Sequence, residues 1–293
     1  SFFSILIPII PKRAIWLIAK RYVAGTNVNK ALEITSKLNN KGYKVTLDIL
    51  GEHTKEQSLA NDITNQYCDI INEISNKNLE CNISVKPTHI GLDICQDTFQ
   101  KNIEKLLDKS IESNVFLRLD MENSKVTSKT IKTVNKYYKK TDTIGTVVQA
   151  YLHRSLNDIE NMDNGMNFRI CKGIYKEDPS IAIQDRISIN ENFINILREI
   201  FKRNGYAAIA THDTSLIENC YKLIDELEID SNQFEFQSLY GVPMNGYLQK
   251  HLDKGYKVRI YVPYGLDWYK YSIRRLKENP NIIGYVIKNF FNK

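Results

Sequence analysis

Charged and amide side chains stand at the ends of short apolar runs along the chain, where they could bind an anion or move a proton. Lys86, Asp120 and Gln149 each end one such run, and Arg169 and Lys172 belong to another. A single charged residue after a strand is usually a solvated loop residue. Several that converge on one place need mutual pairing or a polar ligand, because burying an unpaired charge is costly. These residues are therefore candidates for a functional site.

A polar stripe near the C-terminus gives an independent signal. Tyr271, Arg274, Arg275 and Glu278 follow one another at i, i+3, i+4 and i+7, the spacing of a core-facing helix stripe. One interpretation is a solvated face on which Arg274 and Glu278 form a surface ion pair. The alternative is a binding site, because two guanidinium groups can grip a carboxylate or phosphate through paired hydrogen bonds.

Repetition of one unit predicts the elements that position these residues. Runs rich in β-branched and aromatic residues recur eight times, and segments of helical periodicity lie between them. The predicted strands are 44–50, 81–86, 115–120, 144–151, 167–172, 206–211, 233–237 and 257–262. The predicted helices are 55–77, 97–112, 126–140, 185–203, 214–227 and 267–278.

This alternation is typical of an α/β protein with a (β/α)8 TIM-type barrel. We expect an N-terminal helical segment, residues 1–42, that packs on a catalytic barrel formed by residues 43–293. A doubly wound open sheet is the alternative, but it would favour a glycine-rich first turn, and no such motif occurs. In a barrel the site lies at the C-terminal ends of the strands, where the candidate residues stand.

Composition excludes several classes of protein. The 293 residues are 42% hydrophobic, with 40 Lys and Arg against 34 Asp and Glu, which fits an ordered globular chain and argues against disorder. The net charge of +6 is spread along the chain without a nucleic-acid-binding motif, so we expect no nucleic-acid partner. Five cysteines without a CxxC pair fit reduced thiols in the cytoplasm. Residues 2–19 are apolar but interrupted by prolines, which favours a covering helix over a membrane contact.

The motifs at the strand ends resemble those of one enzyme family. They are Ser-Val-Lys86, Arg-Leu-Asp120-Met-Glu122, Val-Val-Gln149-Ala-Tyr, Arg169-Ile-Cys-Lys172-Gly173-Ile-Tyr175, Ala-Thr211-His212-Asp213, Glu235-Phe-Gln237-Ser-Leu239-Tyr-Gly241, Arg259-Ile-Tyr261-Val-Pro-Tyr-Gly265 and Tyr271-Ser-Ile-Arg274-Arg275-Leu-Lys-Glu278. In this order, from about residue 43 to 285, they resemble the flavin-dependent proline dehydrogenases, in particular the compact monofunctional bacterial form. One such motif would be a weak signal, whereas the ordered series is specific.

The resemblance implies a function. The chain would hold FAD noncovalently and oxidise L-proline to 1-pyrroline-5-carboxylate, the first step of proline degradation to glutamate, with electrons passed to a membrane quinone. Because the chain has no aldehyde dehydrogenase half, a separate 1-pyrroline-5-carboxylate dehydrogenase would follow. The expected location is the cytoplasm, with peripheral contact at the inner face of the membrane left open. No metal site is expected.

The resemblance also implies residue roles. Asp120 and Arg169 would be catalytic, with Asp120 near Lys86, where it organises that lysine or helps to discharge the proton. The residues at the substrate would be Lys86, Arg274 and Arg275 on the carboxylate, Tyr175, Tyr261 and Tyr271 around the ring, and Glu278 fixing an arginine. The residues lining the flavin would be Met121, Gln149, Arg169, Lys172, Gly173, Ile174, Thr211 and His212.

Alternatives remain open from the sequence. Hydroxyproline is a second substrate of this family, although the bulk of Tyr261 and Tyr271 favours the unsubstituted ring. Lys86 or Lys172 could instead form a Schiff base in a barrel lyase. A non-catalytic barrel that binds a carboxylate is a third hypothesis. Thr211 could merely cap the following helix.

Overall fold

Eight parallel strands pair in chain order and close into a barrel, since β8 also pairs with β1. The computed structural model describes residues 15–16 and 19–278, with side chains as far as Arg274. The strands are Lys44–Ile49 (β1), Cys81–Val85 (β2), Leu117–Leu119 (β3), Ile144–Gln149 (β4), Asn167–Cys171 (β5), Tyr206–Ala210 (β6), Phe234–Leu239 (β7) and Val258–Tyr264 (β8). The predicted (β/α)8 barrel is confirmed, and the open sheet is not formed.

Helices surround the barrel and cover its outer face. Their bounds are Val28–Asn39 (α1), Gln57–Asn76 (α2), Gln96–Ser113 (α3), Ser124–Tyr138 (α4), Ser155–Glu160 (α5), Arg186–Lys202 (α6), Thr214–Glu226 (α7), Tyr247–Asp253 (α8) and Trp268–Glu278 (α9). In α2 the stripe formed by Ile63, Tyr67 and Ile74 is buried against the barrel, as its spacing predicts. Leu59, at the start of the same stripe, is instead 47% exposed because it lies in the first turn.

The lumen of the barrel is polar, which is unusual for a fold whose interior is commonly filled by branched aliphatic residues. Arg118 is almost fully buried there and donates hydrogen bonds to the carbonyl of Thr146 and to Asn167. Arg259 pairs with Glu235 at 2.7 Å. Burial and the neighbouring arginines lower the pKa of Arg118 to about 9. The charges inside the barrel are thus held by mutual pairing and by strand carbonyls.

The chain before β1 is joined to the end of β8. The Ala24 amide donates to the Pro263 carbonyl at 2.9 Å, and the Gly265 amide donates to the Gly25 carbonyl at 3.0 Å. Trp16 packs edge-on against Trp268 of α9, with ring centroids 4.6 Å apart. These contacts place Trp16, Ala24 and Gly25 beside the last strand and the last helix. The proposed division into residues 1–42 and 43–293 stays a prediction, and parts of both segments lie outside the described residues.

Two further features bear on the cellular setting. Within the described part of the chain, no helix is long and apolar enough to cross a membrane. Most of the apolar stretch 2–19 lies outside the described residues. All five cysteines are free thiols in the structure, as their number and spacing predicted.

Candidate active site

A cavity of about 800 Å³ opens at the C-terminal ends of the strands. Every predicted site residue whose side chain is described lines it. These residues are Lys86, Asp120, Met121, Gln149, Arg169, Lys172, Gly173, Ile174, Tyr175, Thr211, His212, Tyr261, Tyr271 and Arg274. The side chains of Arg275 and Glu278 lie outside the described residues, so their roles stay predictions. The structure therefore brings residues from the ends of six strands, from the loops that follow them and from α9 to one place.

Lys86 is held by a residue that the sequence reasoning missed. Its Nζ lies 2.9 Å from both carboxylate oxygens of Asp48, which sits in β1 and is almost fully buried. Asp120 makes no hydrogen bond to this lysine but is close enough to affect its pKa, so the expectation that Asp120 organises Lys86 stays a prediction. Burial alone would lower the pKa of Lys86, but Asp48 and Asp120 raise it above its usual value. Lys86 is therefore presented to the cavity as an ammonium group.

Asp120 is the centre of a second network. One carboxylate oxygen accepts hydrogen bonds from Ser84 Oγ at 2.6 Å and from Arg169 Nη1 at 2.7 Å. The other accepts from the hydroxyl of Tyr261 at 3.0 Å. Burial would raise the pKa of Asp120, but Arg169 and Lys86 lower it below its usual value. The carboxylate is thus kept ionised and fixed in orientation.

Arg169 bridges two strands of the barrel. Its Nε donates to Gln237 Oε1 at 2.7 Å, and its guanidinium carbon lies 5.0 Å from the ring centroid of Tyr261. Gln237 is in turn oriented by its hydrogen bond to Glu235 at 2.6 Å. Nη2 of Arg169 is buried and has no hydrogen-bond partner within the described residues. A buried guanidinium nitrogen without a partner is a free donor for a bound molecule.

Gln149 ends β4 and faces the cavity with a fixed amide. Its Nε2 donates to the main-chain carbonyl of Glu122 at 3.0 Å, and the side chain is buried. This hydrogen bond directs the amide plane. Met121, which precedes Glu122, is also buried and covers the neighbouring wall of the cavity. The two residues form one side of the cavity floor.

The backbone at Gly173 fits only glycine. Its φ is +115°, and a Cβ there would lie 2.1 Å from Cδ1 of Tyr151, a buried ring behind the loop. The amide of Tyr151 donates to the carbonyl of Lys172, which fixes this close approach. Ile174, the next residue, is 56% exposed at the rim. Glycine is therefore required here by the packing of Tyr151 against the backbone, and this packing fixes the loop that lines the cavity.

One carboxylate organises the far end of the cavity. Asp213 accepts hydrogen bonds from Lys172 at 2.6 Å and from Arg186 at 2.9 Å, and it caps α7 through the Ser215 amide. Burial would raise the pKa of Asp213, but the bonds from Lys172, Arg186 and Ser215 lower it well below its usual range.

Two predicted cofactor residues stand beside this carboxylate. Asp213, rather than Thr211, is the cap, so the alternative reading of Thr211 is wrong. The Thr211 hydroxyl accepts a hydrogen bond from the Asp213 amide at 3.2 Å. His212 Nε2 accepts the Leu239 amide at 3.0 Å, which ties β6 to β7.

The mouth of the cavity is crossed by an ion pair. Arg274 Nη2 of α9 lies 3.4 Å from Glu52 Oε1 in the loop between β1 and α2. Arg274 therefore faces the site, and the alternative of a surface helix face is wrong for this residue. Tyr175 and Tyr271 line the same end of the cavity. Burial raises the pKa of Tyr175 well above its usual value, so its hydroxyl stays protonated.

Glu52, His53 and Glu122 offer ligand-type atoms within 4.8 Å of one another. Both oxygens of Glu122 are occupied by Thr88, and His53 Nδ1 is paired with Asp93 at 2.6 Å. Glu122 and His53 Nδ1 are therefore already bonded to protein groups, whereas Glu52 Oε2 has no hydrogen-bond partner within the described residues, and we assign no metal to the cluster.

The lining residues that were not predicted as site residues include Asp48, Glu52, Arg186 and Gln237. Asp48 and Gln237 lie within strands, where their alternation toward the lumen is the signal that could have found them. Glu52 and Arg186 lie in or beside loops, where a lone charge is usually solvated. No sequence signal separates them from other surface charges.

Comparison with known proteins identifies the family. The proline dehydrogenase family model matches residues 31–286. Proline dehydrogenase 2 of Bacillus subtilis (strain 168) is 35% identical over 277 residues, which cover 94% of this chain and 91% of that protein. Proline dehydrogenase of Deinococcus radiodurans is 30% identical over 285 residues, with the same coverage of 94% and 91%.

Solved structures share the fold. The crystal structure of proline utilization A from Bdellovibrio bacteriovorus, inactivated by N-propargylglycine, superposes with a TM-score of 0.81 at 22% identity. The match covers 89% of this chain but 32% of that longer one, so the likeness concerns the barrel alone. The family model and the two relatives cover almost the whole barrel and all of the motifs described above. The chain therefore belongs to the proline dehydrogenase family of enzymes, as its motifs predicted.

Proposed function

We propose that this chain oxidises L-proline to 1-pyrroline-5-carboxylate with a noncovalently bound FAD. The observation that carries the proposal is the pair of cations, Lys86 and Arg274, on the same cavity as the Asp120–Arg169 network. Membership of the proline dehydrogenase family supports the same reaction.

The cavity has the features that a flavin requires. Its volume falls within the range of about 300 to 1,000 Å³ that is usual for cofactor sites. Within the described residues Arg169 Nη2 is a buried donor without a partner, and the backbone of Gly173, held by Tyr151, lines the cavity. Gln149 adds an amide whose orientation is fixed.

The roles follow from these contacts. Gln149, Arg169, Lys172 and Gly173 would hold the flavin, together with Met121, Ile174, Thr211 and His212. Bound FAD supplies the acceptor for the hydride that leaves the ring carbon next to the proline nitrogen.

The substrate carboxylate would lie between Lys86 and Arg274. Both are cations at the cavity, and Asp48 and Glu52 orient them from behind. The predicted neighbours Arg275 and Glu278 would complete this end. Tyr175, Tyr261 and Tyr271 would enclose the small apolar ring.

Charge placement explains how the chain assists the reaction. The amine of proline must be neutral before hydride can leave, because the nitrogen lone pair forms the new C=N bond. Lys86 and Arg169 surround this end with positive charge, which lowers the pKa of a nearby ammonium and favours its neutral form. Asp120 holds Arg169 in place, so that positive charge faces the charge that accumulates on the reduced cofactor.

The electrons and the product need further partners. We infer a quinone as the acceptor and a separate dehydrogenase that consumes 1-pyrroline-5-carboxylate. The expected site of action is the cytoplasm, with peripheral membrane contact as the way to reach a membrane quinone. A nucleic-acid partner is not part of the proposal.

The alternatives fit less well. A Schiff base requires a neutral amine, yet Lys86 is bonded to Asp48 and Lys172 to Asp213 as charged groups. Hydroxyproline would need a partner for its hydroxyl, and Tyr261 already donates its own hydrogen bond to Asp120. A carboxylate-binding barrel without catalysis has no need of the fixed Arg169–Asp120 network.

The test is a visible spectrum of the purified protein under anaerobic conditions. We expect flavin absorption that bleaches on addition of L-proline and bleaches far more slowly with trans-4-hydroxy-L-proline. No flavin after reconstitution with FAD, or flavin that proline does not reduce, would overturn the proposal. Borohydride inactivation in the presence of a carbonyl substrate would support the lyase instead.

A further inference from the structure

The loop between β1 and α2, residues 50–56, carries Glu52 to the mouth of the cavity. Two consecutive amides of this loop end on one residue of the next βα loop. The His53 amide donates to Thr88 Oγ1 at 2.9 Å, and the Thr54 amide donates to the Thr88 carbonyl at 3.1 Å. His53 adopts a φ of +56°, a conformation that needs such support in a non-glycine residue. Thr88 is therefore the anchor of the loop.

Thr88 is fixed by a buried carboxylate. Its amide donates to Glu122 Oε2 at 3.0 Å, and its hydroxyl donates to Glu122 Oε1 at 2.6 Å. Thr88 and Glu122 are both fully buried. Both donors of Thr88 thus end on one carboxylate, while its two oxygens face the loop. Removing either hydrogen-bonding partner would leave buried polar groups unsatisfied.

Glu122 also reaches the opposite side of the site. Its main-chain carbonyl accepts the Gln149 amide at 3.0 Å, so Glu122 stands between the cavity floor and the mouth loop. The side chain itself does not line the cavity. Its action on substrate must therefore pass through other residues.

We propose that Glu122 is a positioning residue, which acts through Thr88 to hold Glu52 within reach of Arg274 and so retains the substrate in the cavity. The proposal rests on the proposed function, because proline is the substrate whose retention it describes. The path runs from Glu122 to Thr88, through the His53 and Thr54 amides to Glu52, and across the mouth to Arg274.

A matched pair of variants isolates the anchor. Thr88→Val keeps the shape of the side chain but removes the hydroxyl, whereas Thr88→Ser keeps the hydroxyl. We expect Thr88→Val to raise the KM for proline about fivefold, as for loss of the one hydrogen bond that joins its hydroxyl to the loop, with kcat nearly unchanged. Thr88→Ser should stay close to the parent protein. Glu122→Gln, which turns an N–H group toward one Thr88 donor, should resemble Thr88→Val.

A double variant tests whether the effect passes through Glu52. Glu52→Gln weakens the ion pair with Arg274, so adding Thr88→Val to it should raise KM little further. Additive effects of the two changes, or a lower flavin content and melting temperature with no change in KM, would overturn the proposal. Either result would assign Thr88 and Glu122 a merely structural role.

A readout that does not depend on activity separates this inference from the proposed function. Hydrogen exchange of the peptide covering residues 50–56 should speed up in Thr88→Val and not in Thr88→Ser, whatever the substrate. Unchanged exchange in Thr88→Val would show that Thr88 does not anchor the loop, even if the protein oxidises proline. Faster exchange in a protein that does not oxidise proline would support the role of Thr88 as the anchor of the loop and would overturn the proposed substrate.

Discussion

Lys86 Nζ lies 2.9 Å from both carboxylate oxygens of Asp48, so the lysine at the proposed substrate end is backed by a buried anion. Removing one partner of a buried ion pair leaves the other charge uncompensated. The lysine then either turns away from the cavity or loses its proton. The orientation and the charge of Lys86 thus depend on a residue that does not stand at a strand end.

Asp48→Asn tests this dependence. We expect kcat/KM for proline to fall more than tenfold and the free energy of unfolding to fall by about 3 kcal/mol, because a buried charge loses its partner. Proline titrations and thermal unfolding measure the two effects. Glu80→Gln, which removes the exposed partner of Lys44, is the matched control and should change neither. Normal kcat/KM in Asp48→Asn would contradict the role of Lys86 in binding the substrate carboxylate.

The pH dependence of the reaction should follow the titration of the substrate amine, because Lys86 and Asp120 keep their charges across the neutral range. Burial opposes the charge of Lys86, but Asp48 and Asp120 raise its pKa overall. Burial also opposes the charge of Asp120, but Arg169 and Lys86 lower its pKa overall. A raised lysine pKa means loss of its proton only above about pH 10.5, and a lowered aspartate pKa means protonation only below about pH 4. Both charges therefore persist between these limits.

Consequently kcat/KM should rise with pH across the neutral range as the amine of proline loses its proton. Asp120→Asn should lower kcat/KM at every pH without moving the rise along the pH axis. Anaerobic flavin reduction, followed at a series of pH values, measures both. A rise that shifts in Asp120→Asn would show that this carboxylate itself titrates in the reaction.

Gly173→Ala should abolish flavin binding while the barrel still folds. The new Cβ meets the ring of Tyr151, and the positive φ is strained for any side chain. Gly42→Ala is the control, because Gly42 also has a positive φ of +84° but no atom of the described residues lies within 4 Å of the added Cβ. The ratio of flavin to protein absorbance measures the outcome. A full complement of flavin in Gly173→Ala would show that flavin binding does not depend on the position of this loop.

His251 should make the fold less stable in acid. Its ring is buried, stacks on Phe236 at 4.0 Å and bonds to the Tyr221 hydroxyl, and burial lowers its pKa to about 4. Because the unfolded chain binds a proton near pH 6.5 and the folded chain does not, stability falls as pH drops from 6.5 toward 4.

We expect this histidine to account for about 2 kcal/mol of stability lost between neutral pH and pH 4.5. His251→Gln should be less stable than the parent protein at pH 7 but should lose less stability on acidification. Denaturant unfolding at several pH values measures the difference. His153→Gln, at an exposed histidine, provides the control. Parallel pH profiles in His251→Gln and the parent protein would contradict the assignment.

Much of the fold could be predicted because each strand is a short apolar run between turn signals. The two helices missed, Ser155–Glu160 and Tyr247–Asp253, are six and seven residues long. Neither completes enough turns to display a helical period. Missing these two helices did not change the predicted topology, because the order of the strands sets it.

The site was harder to predict where it depends on which residues of neighbouring strands lie side by side. Lys86 follows β2 and was found by its position, but its partner Asp48 lies inside β1, within a run that reads as buried strand. The pairing arises only when neighbouring strands are set side by side. Asp120 was predicted to lie near Lys86, but its hydrogen bonds to Arg169 and Tyr261 could not be predicted, because they join strands that are distant in the sequence.

The hydrogen bonds of Ala24 and Gly25 to the end of β8 have a consequence for engineering the chain. The segment that contains them precedes the first strand, yet it is attached to the loop from which α9, with Tyr271 and Arg274, departs. A fusion or cleavage close before residue 24 would thus disturb the end of β8 and the start of α9, although these elements lie near the other end of the sequence. Shortening the chain to the barrel alone would remove these hydrogen bonds and the contact between Trp16 and Trp268, so we expect the smallest functional unit to begin before the first strand.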